Sequence, residues 1–217
     1  MAVSFDCFGT LVDVDRTGEP ALAVATELER RGVTVPDGWK TIYASDHRDI
    51  PAVNADEATC RAEYSLVEHV SRALDSEGVH VPTARVRESV LAAFDPGEAV
   101  RTRPGAEAAV AAAGARGPVA ICSNCAVPGL VRRTLRASTI DLDAFDAVVT
   151  SVDCGWRKPA PAIFEATAAA LETTPRDLVH VGDDPRADGG IEALGGTALL
   201  LDDVSLERVP SRLGVDR

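Results

Sequence analysis

The sequence is poor in lysine, methionine and aromatic residues, and it has no long hydrophobic run. Lys40 and Lys158 are its two lysines, methionine occurs once, and aromatic residues make up 4% of the 217 residues. No apolar stretch approaches the roughly 20 residues that a transmembrane helix requires, so we expect a soluble chain without a membrane partner. The N-terminal MAVSF has no basic segment or apolar signal core, which favours a cytoplasmic location.

Positive charge is also scarce. The formal net charge is -12, and the 22 basic residues form no cluster in the sequence. Binding to nucleic acid requires a basic surface that neutralises phosphates, so we expect no nucleic-acid partner. An acidic, lysine-poor composition is typical of halophilic proteins, although a GC-rich genome explains the arginine bias equally well. The halophilic interpretation predicts higher thermal stability in molar KCl than in dilute buffer.

The five cysteines are not expected to form a disulfide framework, because their number is odd and no secretory signal is visible. Cys122 and Cys125 form a CxxC pair, which occurs in redox sites and as half of a zinc site. The sequence contains no second pair at ligand spacing, so we interpret both as small apolar residues near the end of a strand. The histidines also lack ligand spacing and are interpreted as hydrogen-bonded or exposed residues: His47, His69, His80 and His180.

Five short apolar runs, rich in β-branched residues and bounded by turn signals, predict buried strands. They are VSF before Asp6, PVAIC before Ser123, DAVVTS at 146–151, LVHVG before Asp183 and TALLLDD at 197–203. Helical patterns lie between them at PGAEAAVAAAGARG, PGLVRRTLRAS and APAIFEATAAALE. This alternation predicts a parallel, Rossmann-like α/β sheet flanked by helices.

Residues 16 to about 98 interrupt the alternation with helical patterns alone. EPALAVATELERRG is amphipathic, and further helices are predicted in EATCRAEYSLVEHVSRALDSEG and TARVRESVLAAF. We interpret this segment as a helical cap inserted after the first strand. The predicted domains are an α/β core of residues 1–13 and 99–217 and a cap of residues 14–98 that closes over the strand ends.

Polar residues follow the predicted strands, at the edge where a parallel sheet binds its ligands. They are Asp6 with Thr10, Ser123 with Asn124, Lys158 in GWRKPAPAIF, and Asp183, Asp184 and Asp188 in VGDDPRAD. Each of these alone is as well explained by a helix cap, a turn or a surface residue. Their combination at one sheet edge predicts a functional site.

The chemistry of these residues favours phosphoryl transfer. Asp6 can attack a phosphoryl group and form an acyl phosphate if positive charge covers the transferring group. The carboxylates near Asp6 would repel one another without a cation among them, and hard oxygen ligands of this kind suit Mg²⁺. Lys158 and Ser123 are predicted to hold the phosphoryl oxygens, and Thr10 and Asn124 to bind substrate.

In these residues the chain resembles the haloacid dehalogenase superfamily of hydrolases, and the resemblance covers nearly its whole length. The four motifs occur in order: DxxGT(L) at 6–11, the apolar run that ends in Ser-Asn at 123–124, KPxPxIF at 158–164 and GDxxxxD, which contains Asp183 and Asp188. The resemblance implies a small phosphorylated substrate and an aspartyl phosphate at Asp6. It also implies that Asp6, the backbone carbonyl of Phe8 and Asp183 bind Mg²⁺, with Asp188 and Asp184 orienting metal-bound water or the ligands.

The pattern departs from most phosphatases of the superfamily at Phe8, where those enzymes have a second aspartate that protonates the leaving group. An aromatic residue there resembles the dehalogenases of the same superfamily, whose halide leaving group needs no proton. Those dehalogenases work without metal and have a single aspartate in the last motif, whereas this chain has three acids there. They also bind halide through an arginine, for which the sequence offers Arg16, Arg30, Arg31 and Arg48.

A phosphatase without the acid at position 8 loses about 10² to 10⁴ in rate unless the leaving group is good or another residue supplies the proton. Candidate proton donors are Asp13, Asp46, His47 and Asp49. We therefore expect a Mg²⁺-dependent phosphatase that favours good leaving groups, as a monomer or homodimer. The alternatives are a metal-independent 2-haloacid dehalogenase that uses Asp6 as its nucleophile, and a low-activity phosphate-binding or regulatory protein.

Overall fold

The computed structural model of the protein describes residues 1–15, 18–45 and 62–215. Within these ranges the chain forms seven strands: β1 (Ala2–Phe5), β2 (Val12–Val14), β3 (Val100–Thr102), β4 (Val119–Ser123), β5 (Ala147–Thr150), β6 (Leu178–Gly182) and β7 (Thr197–Leu200). Five of them form a parallel sheet in the order β5-β4-β1-β6-β7, and β2 pairs with β3. The five predicted strands and the parallel α/β fold class are confirmed.

Helices surround this sheet and fill the segment between β2 and β3. They are α1 (Pro20–Arg30), α2 (Trp39–Ala44), α3 (Leu66–Ser76), α4 (Thr83–Ala93), α5 (Ala106–Gly114), α6 (Leu130–Arg136), α7 (Ser151–Cys154), α8 (Pro161–Ala170) and α9 (Val209–Arg212). Short 3-10 helices add Gly97–Ala99, Leu142–Ala144, Pro175–Asp177, Asp188–Leu194 and Leu206–Arg208. No helix in the described ranges has both the length and the apolar character needed to cross a membrane.

The sheet is covered on both faces because successive side chains of a strand point to opposite sides. In β4, Ile121 packs in a cluster that also contains residues of α5 and α6. Its neighbour Cys122 packs on the opposite side, in a cluster with Ile163 and Phe164 of α8. Burial on both faces explains why the strands are continuously apolar rather than alternating.

The central position of β1 places Asp6 in the middle of the sheet edge. Phe5, the last residue of β1, is aligned with Ile121 of β4 and with Val181 of β6. The backbone N–H of Asp6 then donates to the carbonyl oxygen of Val181 at 2.9 Å. The strand ladder therefore fixes the backbone of Asp6 between the ends of its two neighbouring strands.

The sequence analysis did not predict the antiparallel pair of β2 and β3. Val12 is aligned with Thr102 and Val14 with Val100, so this ribbon brings together the two ends of the helical segment. It lies at the predicted limits of the cap, although the division into two domains stays a prediction. Strands of three residues have too few positions for the alternation that identifies a strand in a sequence.

One predicted helix begins later than expected. Of the pattern at 57–78, residues 57–61 lie outside the described residues, and α3 begins only at Leu66. The chain before it is extended: the N–H of Glu63 donates to the carbonyl of Gly155 at 2.8 Å. Ser65 then caps the helix by accepting the N–H of Val67 at 3.2 Å. This capping serine, and not the apolar periodicity, sets the start of α3.

Candidate active site

The polar residues predicted from the strand ends lie at the carboxyl edge of the parallel sheet. Asp6 follows β1, Ser123 ends β4, and Asp183 follows β6. Lys158 comes from the loop between α7 and α8, and Asp188 begins the 3-10 helix after β6. Strand direction determines the convergence of Asp6, Ser123 and Asp183, because parallel strands end on the same side of a sheet.

Lys158 is the buried cation of the site. Its Nζ donates to Oδ1 of Asp6 at 2.7 Å and to Oδ1 of Asp188 at 2.6 Å, and its side chain is 2% exposed. Burial by itself would favour the neutral amine, but the charges of Asp6 and Asp188 outweigh burial and raise the pKa of Lys158 well above its ordinary value. Lys158 is therefore a permanent positive charge beside Asp6.

Asp188 anchors this ammonium group. Burial opposes its ionisation, but the hydrogen bond from His180 and the charge of Lys158 lower the pKa of Asp188 well below its ordinary value. Its Oδ2 accepts the backbone N–H of Asp184 at 2.9 Å. The absence of a side chain on Gly182 is essential, since a Cβ there would lie 2.2 Å from Oδ2 of Asp188. Asp188 thus contacts Lys158 directly, and its predicted contact with metal-bound water stays a prediction.

Asp184 lies further out. Its side chain is exposed, and its Oδ1 accepts the backbone N–H of Arg186 at 2.9 Å. This contact is an Asx turn, the interpretation that a GDDPRAD segment would receive on its own. A role of Asp184 in orienting metal-bound water therefore also stays a prediction.

Asp183 is half-buried above the loop that follows Asp6. Its Oδ1 accepts the hydroxyl of buried Thr10 at 2.9 Å. Burial raises the pKa of Asp183; the hydrogen bond from Thr10 lowers it, and the negative charges of Asp6 and Asp188 raise it further, so that the net shift is upward. Asp183 and Asp6 are thus within electrostatic reach of each other, and a cation between them would relieve the repulsion.

Ser123 and Asn124 have different environments. The hydroxyl of Ser123 is 1% exposed and has no hydrogen-bond partner among the described residues. A buried hydroxyl without a partner is uncommon. Ser71 and Thr134 have one as well, so it is the place of Ser123 at the sheet edge that makes it a candidate for binding substrate. Asn124 instead accepts the N–H of Lys158 at 2.7 Å and donates to its carbonyl at 3.1 Å, so it fixes the Lys158 loop. Direct contacts of Asn124 and Thr10 with substrate stay predictions.

These residues fit a magnesium ion. In the described ranges, no three acidic, histidine or cysteine side chains are arranged to hold a metal by themselves. Mg²⁺, however, is usually bound by one or two carboxylates and completes its octahedron with water and substrate oxygens. Asp6 and Asp183 can supply the two carboxylates, and the pKa of Asp183 is raised first by burial and then by the negative charges of Asp6 and Asp188, which a bound cation would offset.

Gly9 lies against Asp183, three residues after Asp6, and supports a test of the arrangement. Its φ is +84°, and a Cβ would lie 2.5 Å from Oδ2 of Asp183. We expect Gly9→Ala to displace Asp183 and weaken Mg²⁺ binding about 10- to 100-fold, measured by calorimetric titration. The left-handed backbone conformation adds a loss of about 1–2 kcal/mol in the free energy of unfolding.

Gly32→Ala is the matched control for Gly9→Ala. Gly32 has a φ of +75°, but nothing lies within 4 Å of a Cβ placed there. The control is expected to lose similar stability and to bind Mg²⁺ as the unmodified protein does. Equal Mg²⁺ affinity in the two variants would show that Asp183 does not hold the metal.

The sequence analysis did not assign His180 and Arg103 to the site. His180 is fully buried, as a hydrogen-bonded histidine was expected to be, but its partners are Ser4 at 2.8 Å and the site residue Asp188 at 2.9 Å. Ser4 and His180 are aligned in β1 and β6, so a signal existed: a polar residue inside each of two apolar strands. Arg103 donates to the carbonyl of Gly9, and no local pattern in the sequence indicates that contact.

A cavity of about 670 Å³ opens beside the loop that follows Asp6. Phe8 and Gly9 border it from the core, and Leu66 and Phe94 border it from the helical segment. The remaining lining residues are Asp13, Val14, Asp15, Arg101, Asn124, Cys125, Ala126, Val127, Leu130 and Arg157. The lining of this cavity is therefore about equally polar and apolar, with Phe8, Leu66 and Phe94 among its apolar residues.

The remaining candidates for proton donor and halide ligand differ in where they lie relative to this cavity. Asp13 borders it, whereas Asp46, His47, Asp49, Arg16 and Arg48 lie outside the described residues. Arg30 and Arg31 both pair with Glu27 on α1, at 2.8 Å and 2.5 Å. Of the candidate proton donors that the structure describes, Asp13 is thus beside Phe8.

A family model described as haloacid dehalogenase-like hydrolase matches residues 1–193 of the chain. Among curated proteins, the chain is similar to the phosphoglycolate phosphatase of Cereibacter sphaeroides, with 36% identity over 102 residues. That alignment covers 46% of this chain and 45% of the relative, so less than half of the relative's length is matched.

Two solved structures show the same fold. The 2-haloacid dehalogenase from Pseudomonas syringae pv. Tomato DC3000 has a TM-score of 0.63 and 17% identity, with coverage of 98% of this chain and 97% of that one. The HAD phosphatase from Thermococcus onnurineus has a TM-score of 0.57 and 19% identity, with coverage of 100% and 99%. A dehalogenase and a phosphatase thus share this fold, and the fold alone does not separate the two activities.

Proposed function

The chain belongs to the haloacid dehalogenase-like hydrolases, and from this premise we propose that it is a Mg²⁺-dependent phosphatase of a small phosphorylated molecule. One observation carries the proposal: the buried, unpartnered hydroxyl of Ser123 lies at the same sheet edge as the ammonium of Lys158 and the carboxylates of Asp6 and Asp183. Two anion-binding groups beside two acids suit a phosphate ester together with a cation. A haloacid requires no such acidic pair.

The proposed reaction has two steps at Asp6. Its carboxylate forms a bond to phosphorus while the bond from phosphorus to the leaving oxygen breaks, which gives an aspartyl phosphate. Water then displaces the carboxylate from phosphorus, releasing inorganic phosphate and restoring Asp6. When bound, Mg²⁺ would neutralise charge on the phosphoryl oxygens.

Lys158 and Ser123 are proposed to bind the phosphoryl oxygens throughout. An ammonium group has three N–H donors, and Lys158 directs two of them to Asp6 and Asp188. The third is then available for a phosphoryl oxygen, and the Ser123 hydroxyl supplies a second donor. The ammonium of Lys158 is fixed by Asp6 and Asp188 before substrate arrives, so little reorganisation of that group accompanies the build-up of negative charge.

The cavity supports a preference for leaving groups with an apolar body. Phe8, Leu66 and Phe94 form an apolar wall, which an aryl or acyl group would cover better than a sugar. We propose that the cap, residues 14–98, contributes Leu66 and Phe94 to this wall and excludes water when substrate is bound. The leaving groups of aryl and acyl phosphates, an aryloxide and a carboxylate, also depart without a proton, which compensates for the missing acid at position 8.

Phe8→Asp tests the leaving-group preference. The unmodified protein is expected to hydrolyse acetyl phosphate and 4-nitrophenyl phosphate much faster than alkyl phosphates. An aspartate at position 8 would supply the missing proton, and activity on alkyl phosphates is expected to rise roughly 10²-fold, at the lower end of general acid catalysis. The measurement is kcat/KM on both substrate types.

Phe8→Asn is the matched control, because asparagine has a similar shape and cannot donate a carboxylic proton. Alkyl phosphates are expected to remain poor substrates of Phe8→Asn. Equal rates of the unmodified protein on aryl and sugar phosphates would contradict the leaving-group proposal and favour a proton donor elsewhere, with Asp13 the first residue to substitute.

A dehalogenase is the second candidate, because an aromatic residue at position 8 suits a halide leaving group. Phosphate release and chloride release should therefore be measured in parallel, with Mg²⁺ and with EDTA. Phosphate release that disappears with EDTA supports the proposed phosphatase. Chloride release from 2-chloropropionate that persists in EDTA would establish the dehalogenase, and no product in either assay would favour a phosphate-binding protein.

A further inference from the structure

We propose that His180 is a positioning residue that holds Asp188, and through Asp188 the ammonium of Lys158, in place beside Asp6. The role rests on the proposed phosphatase function, since it is for phosphoryl transfer that Lys158 must be fixed. His180 lies inside β6, three residues before Asp183, and is fully buried. A residue so placed acts through its neighbours and not by contact with substrate.

The contacts form one continuous buried chain. Ser4 Oγ lies 2.8 Å from His180 Nδ1, and His180 Nε2 lies 2.9 Å from Asp188 Oδ1. The same Asp188 oxygen accepts from Lys158 Nζ, which also donates to Asp6 Oδ1. The residues between the strand interior and Asp6 are therefore linked by hydrogen bonds without an intervening gap.

The chemistry of these partners selects one tautomer of His180. An ionised carboxylate only accepts hydrogen bonds, so Nε2 must carry the proton that it donates to Asp188. Burial lowers the pKa of His180, although its hydrogen bond with Asp188 opposes this, and the lowered pKa favours the neutral ring. Nδ1 then has no proton and accepts the hydroxyl of Ser4. Asp188 thereby selects the tautomer of His180, and the hydroxyl of Ser4, which can donate or accept, complements it.

A neutral donor suits this position better than a charged one. The N–H of His180 fixes the carboxylate of Asp188 without adding a second cation that would compete with Lys158 for it. The ring of His180 is itself fixed by Phe164, whose ring lies edge-on at a centroid distance of 5.4 Å. Without the N–H, Asp188 Oδ1 would keep Lys158 as its partner but lose one of the contacts that orient the carboxylate.

Two substitutions distinguish the effect of the hydrogen bond to Asp188 from the effect of side-chain packing. In His180→Gln the amide nitrogen can reach the place of Nε2, so the donor is kept. In His180→Asn the amide reaches only the place of Nδ1, so the contact with Ser4 is kept and the donor to Asp188 is lost. We expect His180→Asn to lower kcat on 4-nitrophenyl phosphate roughly 10- to 100-fold, and His180→Gln to stay within about 3-fold.

Thermal and urea unfolding of both variants checks for a purely structural role. Loss of packing should affect the two amides similarly, so a difference in kcat between variants of equal stability identifies positioning. Equal kcat values for the two variants, whether both normal or both reduced, would overturn the proposal.

An NMR measurement tests the arrangement without relying on turnover. In ¹⁵N-labelled protein the His180 ring is expected to show the Nε2–H tautomer, and its Nε2–H signal is expected to shift in Lys158→Met. The Nδ1–H tautomer, or a signal unaffected by Lys158→Met, would overturn the proposal. If the unmodified protein releases no phosphate from any substrate, the proposed function fails, and the NMR result decides on His180 by itself.

Discussion

Replacing Asp6 by asparagine is expected to lower phosphate release by about four orders of magnitude or more, while the protein remains folded. An amide is nearly isosteric with a carboxylate but is a far weaker nucleophile, so no aspartyl phosphate forms. Lys158 keeps Asp188 as a charged partner at 2.6 Å, which limits the damage to the fold. The rate is measured with 4-nitrophenyl phosphate at saturating Mg²⁺.

Asp202→Asn provides the control for this substitution, since Asp202 is exposed and undergoes the same chemical change. It is expected to leave the rate unchanged. Acid quenching and mass spectrometry of the unmodified protein during turnover should detect a phosphoryl group on the peptide that contains Asp6. Retention of more than about a tenth of the activity in Asp6→Asn would exclude Asp6 as the nucleophile.

Lys158→Met is expected to reduce both the rate and the stability. Removal of one preorganised donor to the transferring group typically lowers kcat by about 10² to 10³. The substitution also leaves Asp6 and Asp188 facing each other without the cation between them. Removing one partner of a buried ion pair typically lowers the free energy of unfolding by about 3–5 kcal/mol, which urea denaturation measures.

The other lysine of the chain supplies a matched control. Lys40 pairs with Glu19 at 2.7 Å, but its side chain is 56% exposed. An exposed pair contributes at most about 1 kcal/mol, so Lys40→Met is expected to change stability only slightly and activity not at all. A Lys158→Met protein as stable as the Lys40→Met protein would show that Lys158 is not part of a buried ionic network.

Added salt distinguishes the two lysine variants further. Salt screens exposed charges far more effectively than buried ones. The small effect of Lys40→Met is therefore expected to vanish in about 1 M NaCl, whereas the effect of Lys158→Met persists. If both effects disappeared, the Lys158 pair would have to be accessible to solvent.

Local sequence patterns were sufficient to predict the strands of the main sheet and most of the helices. In the main sheet, β1, β4, β5 and β6 are short apolar runs that end in a polar residue or are followed directly by one, and Asp6, Ser123 and Asp183 could be placed at one edge for that reason. The patterns failed where the element is short or its boundary depends on a distant contact. The ribbon of β2 and β3 and the late start of α3 are the two clearest cases.

In the site too, some features could be predicted from local patterns and others depend on distant contacts. The sequence gives no basis for preferring Asp188 over Asp184 as the partner of Lys158, since both acids lie in the segment GDDPRAD. In the structure Asp188 begins a 3-10 helix and points inward over Gly182, whereas Asp184 turns outward to the N–H of Arg186. Asp184 and Asp188 are only four positions apart, yet the fold of this segment buries the carboxylate of Asp188 and exposes that of Asp184.

The parallel α/β fold, the edge at which the polar residues gather and the departure at Phe8 could all be predicted from local patterns. These features follow from local periodicity and from the common direction of parallel strands. The pairing of Lys158 with Asp6, the unpartnered hydroxyl of Ser123 and the link through His180 to Asp188 depend on the folded arrangement. The reason is that such contacts join residues up to 152 positions apart, and only strand order and register bring those residues within hydrogen-bond distance.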